Sequence, residues 1–101
     1  MREAVMALVR LGPFPSEKHA TPEDLEAVQK LLEQIEKPVS NDEARALCKL
    51  FGPDDCFGLA WTMVHLIETS PGWPLTDALA VSGNQSIETL RRRAQNAGLL
   101  K

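Results

Sequence analysis

Apolar positions recur along most of this chain at intervals of three and four, and no stretch alternates with period two over a useful length. Between Thr21 and Pro38 the series is Leu25, Val28, Leu31, Leu32 and Ile35. Its other side carries Glu26 with Lys30 and Glu33 with Lys37, both spaced i,i+4 with the acid first, the better orientation on a helix. Thr21 suits the N-cap, Pro22 the first helical position, and Glu23 and Asp24 the positive end of the dipole. Pro38 ends the run, which predicts a helix from Pro22 to about Lys37.

The stretch Phe51 to Trp73 is apolar nearly all round: Leu59, Ala60, Trp61, Met63, Val64, Leu66 and Ile67 follow one another with few polar interruptions. A helix of that kind is covered on most sides by others. It is too short to span a bilayer, and His65 and Glu68 lie inside it. It is therefore expected to be the central helix, about residues 55–69, with Trp61 and Leu66 buried and Asp54 as its cap. Gly52-Pro53 stops the helix before it, and Ser70-Pro71-Gly72 ends it.

The remaining elements are shorter. Arg2 to Leu11 reads as a helix with Val5, Leu8 and Val9 inward, stopped by Gly12-Pro13. Phe14, between two prolines, is expected to pin the following loop to the body. Ser40-Asn41-Asp42-Glu43 matches a capping box, and Ala44, Leu47, Cys48 and Phe51 form the inward face of the helix it opens, with Gly52 as terminator. After the turn around Trp73, exposed or folded over the core, a short helix runs from Pro74 or Thr76 to Val81. Ser82-Gly83-Asn84 breaks it, and a last helix turns Ile87, Leu90, Ala94 and Ala97 inward before Gly98-Leu99. The expected fold is all-α, a single domain over residues 1–101, with five or six short helices arranged as hairpins around residues 55–69.

Composition narrows the function classes. At 101 residues, 44% hydrophobic and 25% charged, the chain sits at globular averages and can bury a core of its own. No apolar leader with a cleavage site follows the first residues, MREAVMALVR. Two cysteines, Cys48 and Cys56, are expected to be free thiols of a cytoplasmic protein. The net charge of −3 is unevenly spread. Residues 1–84 hold seven Lys or Arg against thirteen Asp or Glu, whereas residues 85–101 hold Arg91, Arg92, Arg93 and Lys101 against Glu88. An acidic body favours basic partners and repels nucleic acid, and the basic tail does the reverse.

Candidate chemistry is sparse. Asp54-Asp55 could hold a cation or face a basic partner, but helix capping alone accounts for the first of them. His65 and Glu68 share a helix surface, on a narrow stripe with Asp55, Gly58, Thr62 and Thr69. A di-metal site needs paired Glu-x-x-His motifs, and a zinc site from Cys48, Cys56 and His65 lacks a fourth ligand and close spacing. His65 is therefore expected to be a core histidine bonded to a polar neighbour. No Gly-rich phosphate loop, Gly-x-Ser-x-Gly elbow or His-Glu-x-x-His is present, so no catalytic, metal or cofactor residue is assigned. The segment LTDALAVSGNQSIETLRRRAQNAG has helix-turn-helix spacing, with Ser86, Thr89, Arg92, Arg93 and Asn96 as would-be readers or phosphate contacts.

The run PVSNDEARALCKLFGPDDCFGLAWTMVHLIETSPGWP resembles small helical bacterial proteins, a group that includes suspected immunity proteins of polymorphic toxins. The likeness covers about the middle third of the chain and carries no active-site residues. It implies a non-catalytic cytoplasmic binding module that masks a toxin's active site, with no membrane and no nucleic acid among its partners. A basic toxin or effector suits the acidic body. The expected partner contacts are Asp54, Asp55, Asp42, Glu43 and Trp73. A DNA-binding regulator using residues 76–97 is the alternative.

Overall fold

Side-chain caps at Thr21, Ser40 and Asn84 set three helix starts in the computed structural model, which describes residues 1–81 and 83–100. Among these residues the chain is all-α: α1 (Glu3–Leu11), α2 (Pro22–Glu33), α3 (Asn41–Cys48), α4 (Leu59–Ile67) and α5 (Gln85–Asn96). The consecutive pairs α1/α2 and α3/α4 pack together, α4 also meets α2, and α5 closes against α4.

Thr21 caps α2 reciprocally with Asp24, with Pro22 at the start. The helix stops at Glu33 rather than at Lys37, because Gln34 and Ile35 donate to the Leu31 and Leu32 carbonyls (3.1 and 3.2 Å) and the chain then turns Ile35 and Val39 into the core. Lys37, held off helical backbone by Pro38, cannot pair along the helix with Glu33. The Glu26–Lys30 pair does form, at 2.9 Å.

The capping box of α3 is present as its sequence indicates. Ser40 Oγ accepts from the Glu43 amide (3.1 Å), and Glu43 Oε1 accepts from the Ser40 amide (2.9 Å). α3 ends at Cys48, so Gly52 is not its terminator. Gly52 is required for a different reason: a Cβ there would collide with the Phe14 carbonyl oxygen. Phe14 is buried, and its amide donates to the Leu50 carbonyl (2.9 Å), which clips the first loop onto the chain before α4.

The central helix is shorter than its apolar run. Cys56, Phe57 and Gly58 take φ of 50°, 54° and 89°, three left-handed residues in succession, and α4 begins only after them. Asp54 therefore caps this turn and not the helix, accepting from the Cys56 amide at 3.0 Å. Ala60, Met63, Val64, Leu66 and Ile67 are buried, but Trp61, Thr62 and His65 face solvent. The Cα trace measures 40 × 28 × 17 Å. Helices pack about 8–10 Å apart, so a body this thin holds only two layers and leaves one side of α4 open.

Beyond α4 the expected short helix reduces to a single 3₁₀ turn, Ala78–Ala80, with Leu79 buried within it and Leu75 buried ahead of it. Ser82, at the expected break, lies outside the described residues. Asn84 caps α5, its Oδ1 accepting from the Ser86 and Ile87 amides (3.0 and 3.1 Å). Ile87, Leu90 and Ala94 point inward as expected. Ala97 and Val9, expected inside, are exposed, and Leu100 rather than Leu99 reaches the core.

Candidate functional site

The five residues expected to meet a partner do not form one surface. Asp54 and Asp55 precede α4, whereas Trp73 follows it, separated by a nine-residue helix of about 13 Å. Trp73 instead neighbours the start of α3, where Asn41 Oδ1 accepts from the Gly72 amide (2.7 Å) and Asp42 is exposed. Asp54 is turned to structural work, its carboxylate also accepting from the Glu17 amide (3.0 Å). Asp55 is exposed and borders a small cleft with Trp61. Asp42 is bonded to Arg45 (3.4 Å).

Glu43 is a correction. Its side of α3 faces inward, it is only 3% exposed, and it presents nothing to a partner. Arg2 donates to both of its carboxylate oxygens, from Nε (2.9 Å) and Nη2 (3.2 Å), and the Arg2 amide adds a third bond. Burial pushes the carboxyl pKa up, but the amide bonds from Ser40 and Arg2 and the guanidinium charge outweigh it and hold the group at about 2.

A different cluster assembles on the open side of α4. At about 100° per residue, Trp61 falls between Glu68 and His65 on the helix surface. Trp61 is 46% exposed, which overturns its expected burial. His65 is exposed too, and stands edge-on to the indole, 4.8 Å between centroids at 85°. It is therefore a surface residue and not a core histidine. Arg93 reaches across from α5 with its guanidinium 5.1 Å from the Trp61 ring centroid. The same guanidinium grips Glu68 with both prongs, Nε to Oε2 at 2.7 Å and Nη2 to Oε1 at 2.9 Å. The hydrogen bond to Glu68 raises the Arg93 pKa further, so its charge is permanent. Glu68 and Arg93 also border a shallow cleft of about 350 Å³ with Trp73 and Asn96. The angular positions of residues 61, 65 and 68 carried a signal for this face, but no sequence signal could place Arg93 over Trp61.

The basic tail is largely tied down. Arg91 donates to the Leu79 and Val81 carbonyls, with 2.7 Å to Val81, Arg93 is held by Glu68, and Ser86 is buried. Thr89 Oγ1 donates to the Gln85 carbonyl (3.0 Å). Arg92 and Asn96 are exposed. The helix that should precede a recognition helix is the single 3₁₀ turn.

Both cysteines are free and buried. Burial, aided by the Asp77 charge, pushes the Cys48 thiol up to about 12. Cys56 is raised by burial and then by the Asp54, Glu17 and Asp55 carboxylates, so both keep their protons at neutral pH. Cys48 borders a cleft of about 420 Å³, which is also lined by the Arg45–Asp77 ion pair (3.0 Å) and by Phe51, Val81 and Ile87. Among the described residues no group of three or more His, Cys, Asp or Glu could hold a metal ion, and no helix is long and apolar enough to cross a membrane. Comparison with protein-family models, with curated proteins and with solved structures finds no match to this chain.

Proposed function

We propose that this protein is a non-catalytic protein-binding module whose contact face is the open side of α4, centred on Trp61 and flanked by His65, Arg93, Glu68 and Trp73. One observation carries the reading: an indole on the central helix left half exposed, with an arginine fixed over it by a bidentate ion pair. Tryptophan and arginine are the residues that most often dominate binding energy at protein interfaces, and pre-ordering them lowers the entropy that association costs. The immunity-type role, masking a toxin's active site, is the narrower form of this proposal. The negative net charge suits a basic toxin, and two free thiols suit a reducing cytoplasm.

The test is paired affinity capture from the cell that encodes the protein, with Trp61→Ala and Asp42→Asn variants beside the parent. A single protein enriched by the parent and by Asp42→Asn, and reduced at least tenfold with Trp61→Ala, is the expected result. Equal recovery with Trp61→Ala would remove the face from the proposal. A DNA-binding regulator using residues 76–97 remains the competing proposal, and its support is Arg92 on the open side of α5. Nucleic acid recovered in place of protein, and lost with Arg92→Ala, would favour it.

A further inference from the structure

The early end of α2 and the left-handed turn before α4 leave a cleft of about 290 Å³ between them. Leu32 and Leu59 supply apolar lining, Phe57 supplies a ring, and Gln29, Thr62 and Glu33 supply polar groups. Its volume lies just below the range of ligand sites, roughly 300–1,000 Å³, and matches one long side chain better than a metabolite. No lysine or arginine lines it.

Two observations give the cleft a sign and a shape. Glu33 has lost the Lys37 partner that a longer helix would provide, and among the described residues no cation pairs with it. Its bond is to a neutral group, the Gln29 amide, at 3.2 Å from Oε1. Phe57 is 63% exposed, on backbone with φ of 54° that a bulky residue rarely adopts. Its amide is fixed to Glu17 Oε2 at 2.8 Å, and Asp54 holds the Glu17 amide in turn, so the ring is presented to solvent by a braced turn. Strain of this kind persists only where the surroundings impose it, and it concentrates at ligand clamps. Glu17 and Asp54, which brace this turn, add negative charge beside it.

We infer that this cleft receives an arginine side chain of the protein partner, its methylenes against Leu32 and Leu59, its guanidinium plane over Phe57 and its charge on Glu33. A guanidinium stacks on aromatic faces and offers a carboxylate two parallel donors, which a compact ammonium does not. The inference rests on the protein-binding reading but on residues distinct from the Trp61 face.

The isolated full chain, labelled with nitrogen-15, is titrated with N-acetyl-Gly-Arg-Gly-amide and with the same peptide carrying citrulline, whose urea is neutral. The arginine peptide should shift the amides of Glu33, Phe57, Gly58 and Thr62 along one saturable curve, and the citrulline peptide should not. Glu33→Gln and Phe57→Ala, both surface changes, should each weaken the arginine peptide at least fivefold, and Trp61→Ala should leave it unchanged. Identical shifts from the two peptides, shifts confined to other carboxylates, or unaltered affinity in both cleft variants would each overturn the assignment. Because the titration uses no cellular partner, its failure is separate from failure of the Trp61 face in affinity capture.

Discussion

Residue by residue, two departures from hydrophobic expectation, Glu43 inside and Trp61 outside, make opposite predictions for stability. The folded-state pKa of Glu43, about 2, lies below its ordinary 4.5, so its contribution is full above pH 4.5 and is lost as pH falls toward 2. At roughly 1.4 kcal/mol per unit, the contribution is on the order of 3 kcal/mol. Glu43→Gln should cost about that at pH 7, and urea titrations of parent and variant should converge as pH is lowered through this window. Trp61→Ala, by contrast, should cost under about 1.5 kcal/mol, against about 2–5 kcal/mol for Leu8→Ala or Met63→Ala, whose side chains have no solvent contact. Urea midpoints of the three variants measure that ranking, and a Trp61→Ala variant as unstable as the other two would place the indole inside after all.

For an element, the informative unit is the segment from Gly52 to Gly58 that feeds α4. Gly52→Ala and Gly58→Ala look alike in sequence but differ in kind. The first drives a Cβ into the Phe14 carbonyl, whereas the second meets nothing within 4 Å and pays only for left-handed backbone, about 1–2 kcal/mol. Thermal melts should therefore show Gly52→Ala as the more damaging. Phe57→Asn should melt at or above the parent temperature, since asparagine tolerates φ near 54° and little buried area is lost with an exposed ring. The same variant should lose the arginine peptide. A residue that lowers stability while furnishing a binding surface is the usual trade at functional sites.

For the molecule as a whole, charge and thickness matter most. The body is acidic, and its basic tail is folded back onto it through Arg91 and Arg93, so a net negative field surrounds the chain. Asp55 is the acidic residue of the turn that is free to act at a distance, because Asp54 is occupied by the Glu17 and Cys56 amides. With a captured partner, Asp55→Asn should slow association at low salt by a factor of about two to three and leave dissociation nearly unchanged. Arg92→Ala should leave both rates as they are. Stopped-flow mixing at two salt concentrations separates the cases, and a large effect of Arg92→Ala would point back to the tail.

The sequence by itself determined what depends on neighbours along the chain. The Thr21 cap, the Ser40–Glu43 capping box, the inward stripes of α2, α3 and α5 and the all-α class are consequences of i,i+3 and i,i+4 geometry. Tertiary structure decided what depends on crossing partners. Arg2, forty-one residues away, turned the capping glutamate of α3 into a buried anion. Phe14 turned a presumed helix terminator at Gly52 into a point of backbone contact. Two layers of helix are too few to enclose α4, so its apolar run keeps an open edge, and Arg93 arrives there from α5 only because the two helices pack. Periodicity says which residues share a face; only the number and thickness of the packed layers says whether that face is covered.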